Sequence, residues 1–198
     1  MPDYIKVNSD GSKTYPYNIQ SLRTDNPHTS FPEKIQEVAA TFNVFLVQES
    51  PRPDHNSTTQ TIELNQPELI AGEWHQRWKV VDLPLEAAKA NALGKINSEW
   101  QQIEAAGWDS GQGHLGLSAS DVALLSGAFA MAKEAAALGY PVPPLVTLEN
   151  NLINFASIHE MTGLLLQYGA ARSAMSVTFA ERRKAAENAT TLEELEAI

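Results

Sequence analysis

Five histidines, at positions 28, 55, 75, 114 and 159, are the first residues to weigh as metal ligands or general bases. No two of them stand three or four residues apart, so no helical turn brings two imidazoles onto one face. His159-Glu160 has the wrong order for a zinc-protease helix, and no second histidine follows it. These side chains read as surface or satisfied loop residues. Ser126-Gly127 falls inside a predicted helix without a Gly-x-Ser-x-Gly context, so its hydroxyl is not set on a strained strand-to-helix turn. A Ser-His-Asp triad is recognised by geometry, and no spacing here supplies one. Gly111-Gln112-Gly113-His114-Leu115-Gly116 has the glycine content of a phosphate cradle. It lacks both the Lys-Ser/Thr of a P-loop and the dinucleotide spacing, and reads as a hairpin tip. Glu193 and Glu194 lie on a polar helix face and solvate it. The chain contains no cysteine, which removes disulfides, thiolate nucleophiles and thiolate metal sites. The expectation is a non-enzymatic chain with no cofactor and no metal.

Aromatic and apolar residues at regular spacing remain. Trp74, Trp78 and Val80 share one face of an alternating run from Glu73 to Asp82, with His75, Arg77 and Lys79 on the other. Exposed, the two tryptophans would seat a partner or stack on a sugar; packed inward, they would be the core of a small sheet. Leu93, Ile96, Trp100 and Ile103 follow a 3-4-3 spacing, a short coiled-coil-like seam. Trp100 within it suits either a subunit contact or a contact inside the chain. Ile158, Met161, Leu165, Tyr168, Arg172, Met175 and Phe179 repeat at 3-4-3-4-3-4 and read as core, with Arg172 at an edge or snorkelling.

The elements that must position these residues change character near Leu83. Before it the chain is rich in Pro, Thr, Asn and aromatic residues; after Pro84 it is rich in Ala, Leu and Glu. Tyr4–Val7 and Lys13–Tyr17 flank the turn signal Asn8-Ser9-Asp10-Gly11 and predict a hairpin. Thr24–Pro27 is turn chemistry. Ser30 is a candidate cap for a helix carrying Ile35, Val38, Ala39 and Phe42 on one face. Asn43–Gln48 reads as a strand and 50–57 as a loop. Thr61–Leu64 and Glu73–Asp82, joined at Ala71-Gly72, predict a hairpin in an antiparallel sheet.

Pro84 opens a helix that Gly107 closes. Trp108–Leu117 is a loop or small hairpin. Ser118 or Ser120 caps a helix with Leu125, Phe129, Ala132 and Ala136 on its buried stripe, closed by Gly139. Pro141, Pro143 and Pro144 force an extended link. A long helix runs from near Phe155 to Asn188, and Thr190 or Thr191 starts a capping box for a final short one. The fold class expected is α+β: a small antiparallel-sheet N-terminal attachment module over 1–83, a linking helix over 84–107 and a helical domain over 108–198.

The 198 residues carry 14 Lys and Arg against 24 Asp and Glu, a formal net charge of −10. That balance argues against phosphate-backbone binding to nucleic acid and against a polybasic membrane anchor. No run of apolar residues is long enough to span a bilayer, so no membrane insertion is expected. The start Met-Pro-Asp-Tyr-Ile-Lys lacks the basic and apolar regions of a signal peptide. Without a secretory route, the Asn-x-Ser/Thr sites at Asn56 and Asn188 carry little meaning.

The segment from Leu22 to Pro32, with Asn26-Pro27-His28-Thr29-Ser30-Phe31-Pro32 at its centre, resembles the N-terminal segment of small tailed-phage and prophage proteins encoded beside tail-fibre genes. In those proteins an Asn-Pro-x-x-Ser-Phe-Pro run precedes a helix and a strand. A Pro…Gly-x-Trp-x-x-x-Trp-x-Val stretch follows, matched here by Pro67, Gly72, Trp74, Trp78 and Val80. The C-terminal part is similar to a helical domain of unknown function common in such tail proteins, through Ser118–Asp121, Val146–Leu148 and Ala189–Ile198. The resemblance implies a virion-tail setting, with host cytoplasm during assembly, a phage tail-fibre protein as partner and a possible homotrimer. On this reading the expected partner-binding residues are Phe31, Trp74, Trp78, Leu93, Ile96, Trp100 and Ile103. The leading expectation is a tail-fibre component or accessory protein. The alternatives are a transient tail-fibre assembly chaperone and a host-glycan-binding module.

Overall fold

A computed structural model describes residues 4–31 and 39–198. The chain divides into two compact units, Met1–Leu83 and Pro84–Ile198, at the composition change seen in the sequence. The class is α+β, with a sheet in the first unit and helices dominating the second.

In the first unit, β1 (Tyr4–Val7) and β2 (Lys13–Tyr17) form the expected antiparallel hairpin. A helix not foreseen from the sequence, α1 (Ile19–Asp25), follows directly. The Asn18 side chain caps it by accepting from the Ser21 N–H at 2.7 Å. Only Leu22 is buried in its seven residues, too little periodicity to read against the turn chemistry of Thr24–Pro27. The helix expected around Ile35 and Val38, with Pro32 in its first turn, lies largely outside the described residues. Of its predicted face, Ala39 is buried and Phe42 lies in a 3₁₀ turn over Ala40–Phe42. Both pack with Tyr4, Tyr17, Leu22 and Val44.

Strands β3 (Val44–Gln48), β4 (Gln60–Ile70) and β5 (Glu73–Asp82) complete a five-stranded sheet in the order β2-β1-β3-β5-β4. Three of its four pairings are antiparallel, but β3 and β5 run parallel, with Val47 opposite Trp74. The sheet is therefore mixed, which corrects the expectation of an antiparallel one. The chain leaves β3 by the 50–57 loop, runs out along the edge as β4, and returns through a tight turn to fill the slot beside β3. Ala71 and Gly72 take φ of 50° and 89° in that turn, as a two-residue hairpin connection requires.

The second unit begins with α2 (Leu85–Ala106), which ends at Gly107 with φ of 76°. Two-stranded pieces β6 (Trp108–Asp109) and β7 (His114–Leu115) make the small hairpin. Ser118 caps α3 (Ala119–Ala137) in a reciprocal box with Asp121. A second mini-hairpin, β8 (Leu145–Val146) with β9 (Leu152–Ile153), leads into α4 (Ile158–Asn188). Thr191 and Glu194 box the start of α5 (Leu192–Glu196). Leu115, Leu117, Ala132, Leu145, Ile153, Met161 and Tyr168 form the core. The α4 stripe is core as expected. Arg172 is half-buried at the edge of that stripe, its Nε donating to the Leu117 carbonyl at 3.1 Å. Helix α2 is no free-standing linker, because it packs on α4 and α5 within this unit.

Candidate interaction surfaces

The alternation of Glu73–Asp82 sends Trp74 and Trp78 to the same face of β5, and the β4 register sets Leu69 and Leu64 directly opposite them. The two tryptophans then meet different fates. Trp74 sits one strand in, beside β3, and is buried with Ile5 and Val47. The Lys13 ammonium lies 4.8 Å from its ring centroid. Trp78 is half-buried. Its indole N–H donates to the Ser50 carbonyl at 3.0 Å, and the Arg52 guanidinium lies 5.0 Å from its ring centroid. The 50–57 loop is thereby tied to the sheet through Trp78. Leu64 and Leu69 are 40% and 54% exposed on β4, the outermost strand. On the opposite face Arg77 on β5 pairs with Glu68 on β4 at 2.5 Å.

Of the other expected contact residues only Ile96 is buried, and Phe31, Leu93, Trp100 and Ile103 are half-buried against their own units. Phe31 is half-buried with its ring 5.2 Å from that of Phe42. Ile96 is 1% exposed, so the folded helical unit offers it to no partner. Trp100 meets Phe179 edge-on at 5.1 Å, and Ile103 packs on the core of the second unit. Leu93 is half-buried on the same side of α2. The α2 seam therefore closes onto α4, the reading of Trp100 as a contact inside the chain. Beside it Glu99 accepts from Arg182 at 2.6 Å, and that hydrogen bond holds the Glu99 carboxyl below its usual range.

The glycine-rich hairpin tip has a structural partner of its own. The His114 N–H donates to Glu149 Oε2 at 3.0 Å, and its Nδ1 lies 2.5 Å from Oε1. The His114 backbone, the Thr147 hydroxyl and the His114 ring together lower the Glu149 carboxyl to about 2. Gly113 is needed there, because a Cβ would lie 2.8 Å from Thr147 Cγ2. This pair clamps the β6–β7 tip to the turn after β8. Among the described residues no three His, Asp or Glu side chains stand together as a metal site. No described helix is long and apolar enough to cross a membrane.

The most exposed large apolar side chains were not singled out by the sequence reading. Among the described residues they are Leu124, Met131 and Leu138 along α3 and just past its end, Tyr140 beyond them, and Leu166 on α4. A seven-residue spacing did mark the first three. It was hidden because α3 is apolar on its buried side as well, and a stripe among apolar neighbours has little contrast. Comparison with known proteins finds no match: no family model, no curated protein and no solved structure aligns with this chain.

Proposed function

We propose that this chain is a non-enzymatic component or accessory protein of a phage tail fibre, held to the fibre by protein–protein contacts of its sheet unit. Its place is the virion tail, reached from the host cytoplasm during assembly. The tail-fibre setting rests on the Asn26–Pro32 and Gly72–Val80 resemblance. The observation that supports a protein-binding role is the β4 edge, an outermost strand with Leu64 and Leu69 exposed beside half-buried Trp78. An edge strand with apolar side chains presents both backbone hydrogen-bonding groups and hydrophobic surface to a partner. The bulge between Asn65 and Glu68 interrupts that edge, so contact would centre on the side chains flanking it rather than on one long added strand. Host-glycan binding is less well served, since Arg52 already stacks on the Trp78 ring.

Two measurements test this reading. Quantitative mass spectrometry of purified particles should find the chain in fixed ratio to the fibre protein. Presence in the infected-cell lysate with absence from particles would favour the assembly-chaperone alternative. In a pull-down with the fibre protein, Leu64→Lys with Leu69→Lys should reduce capture at least tenfold while circular dichroism stays unchanged. Undiminished capture would remove the β4 edge as the contact.

A further inference from the structure

We infer that the outer face of α3 is a self-association surface, which takes a second copy of this chain in antiparallel, two-fold packing. Of the 19 residues of α3 only Ala132 is fully buried, and only Asp121, Lys133 and Glu134 are charged. A helix apolar on nearly all sides is ordinarily covered on all sides. Here Leu124, Met131 and Leu138 are 72%, 66% and 72% exposed, and Tyr140 just beyond is 66% exposed.

Three features argue for a second copy as the occupant. The first is spacing. Leu124, Ala128, Met131, Ala135 and Leu138 follow a 4-3-4-3 seam along the flank of α3, in which the three large residues are exposed while Ala128 and Ala135 are half-buried, Ala128 against the unit's own core. Two such seams laid antiparallel place Met131 of one copy on Ala128 of the other, and Leu124 on Ala135. Each large side chain thus enters the space beside a small one, and the patch is complementary to itself, as a two-fold interface demands. The second is charge. Glu134 flanks the seam, and in this register it faces Gly127 of the other copy, where a Cβ would meet nothing within 4 Å. No like charges are opposed, although each chain carries −10 overall. That acidity also disfavours an anionic membrane surface as the occupant. The third is area. Four large side chains exposed to this degree present on the order of 500 Å². Two copies would bury about 1,000 Å² in total, the lower bound of a specific interface.

The test is sedimentation equilibrium of the full chain. The expected result is a mass of two chains at tens of micromolar, with tighter association at higher salt as the net negative charges are screened. Met131→Glu should give the single-chain mass of 21.6 kDa with unchanged circular dichroism. Leu166→Glu, on the exposed side of α4, should leave the dimer intact. Should Met131→Glu unfold, Leu124→Gln with Leu138→Gln takes its place, since both side chains already face solvent. A single-chain mass for the wild type at 200 micromolar would overturn the proposal. So would a three-chain mass, or a dimer that survives the α3 substitutions but not Leu166→Glu.

Discussion

Glu149 shows how one residue ties two loops together and what acid does to such a tie. Its carboxyl accepts from the His114 backbone and faces the His114 ring, and these contacts with Thr147 lower it from its ordinary value of 4.5 to about 2. A group whose folded value lies below its unfolded one contributes stability that is present above the unfolded value. That stability is lost as pH falls through the folded value. Acid titration of unfolding midpoints should therefore show a loss between about pH 4.5 and 2, and Glu149→Gln should flatten part of it. An unchanged acid profile in the variant would show that the clamp contributes nothing to folding. Tyr17 and Asp25 form a similar pair in the sheet unit. Burial and then the Asp25 hydrogen bond push the phenol well above its usual range, while Lys6 and Tyr17 hold the carboxyl low.

At the scale of elements, most helix ends and the buried helix stripes were legible, and what each face packs against was not. Pro84, Gly107, Ser118, Gly139 and Thr191 mark termini through local chemistry, and α2, α3 and α5 begin or end beside them. Gly107 has a second reason that no local rule contains: a Cβ there would lie 2.8 Å from the Leu115 carbonyl oxygen and from Leu148. Gly111, at φ of 79°, has open space around it. Gly111→Ala should cost about 1 kcal/mol from backbone strain alone. Gly107→Ala should cost clearly more, because strain and steric overlap add. Urea denaturation of the two variants side by side checks the order, and equal costs would remove the overlap as a factor. The α2 seam gives the complementary lesson. A 3-4-3 spacing states that Leu93, Ile96, Trp100 and Ile103 face one way, but an interface and a core leave the same spacing in a sequence.

Over the whole molecule, the α2 seam packs on α4 within the helical unit, with Ile96 buried and Trp100 half-buried, and this changes what its mutation should do. Trp100 packs edge-on against Phe179, inside the unit built by α2, α4 and α5. Trp100→Glu should therefore destabilise that unit, by about 3 kcal/mol, the low end of buried-aromatic truncation because Trp100 is half-buried. Under native conditions it should leave fibre capture intact. A variant that stays fully stable yet loses capture would return Trp100 to the interface. Trp74 follows the same logic in the sheet, where the inner position of β5 buries it while its neighbour Trp78 keeps one side toward solvent.

The sequence by itself determined the α+β class, the boundary at Leu83, both N-terminal hairpins, the long helices, the Ser118 and Thr191 caps, and the lack of thiol chemistry. Each of these follows from signals within a few residues: alternation, turn residues, cap residues or composition. Only the tertiary structure decided that β5 slots in parallel beside β3, that α2 closes onto α4, and which apolar stripe of α3 is left open. The physical reason is that periodicity fixes which side chains share a face, while the partner of that face is set by contacts between segments far apart in the chain. Short elements such as α1 and β9 stayed hidden for a related reason. Two to seven residues carry too few periodic positions to signal themselves, and they are held by packing rather than by propensity.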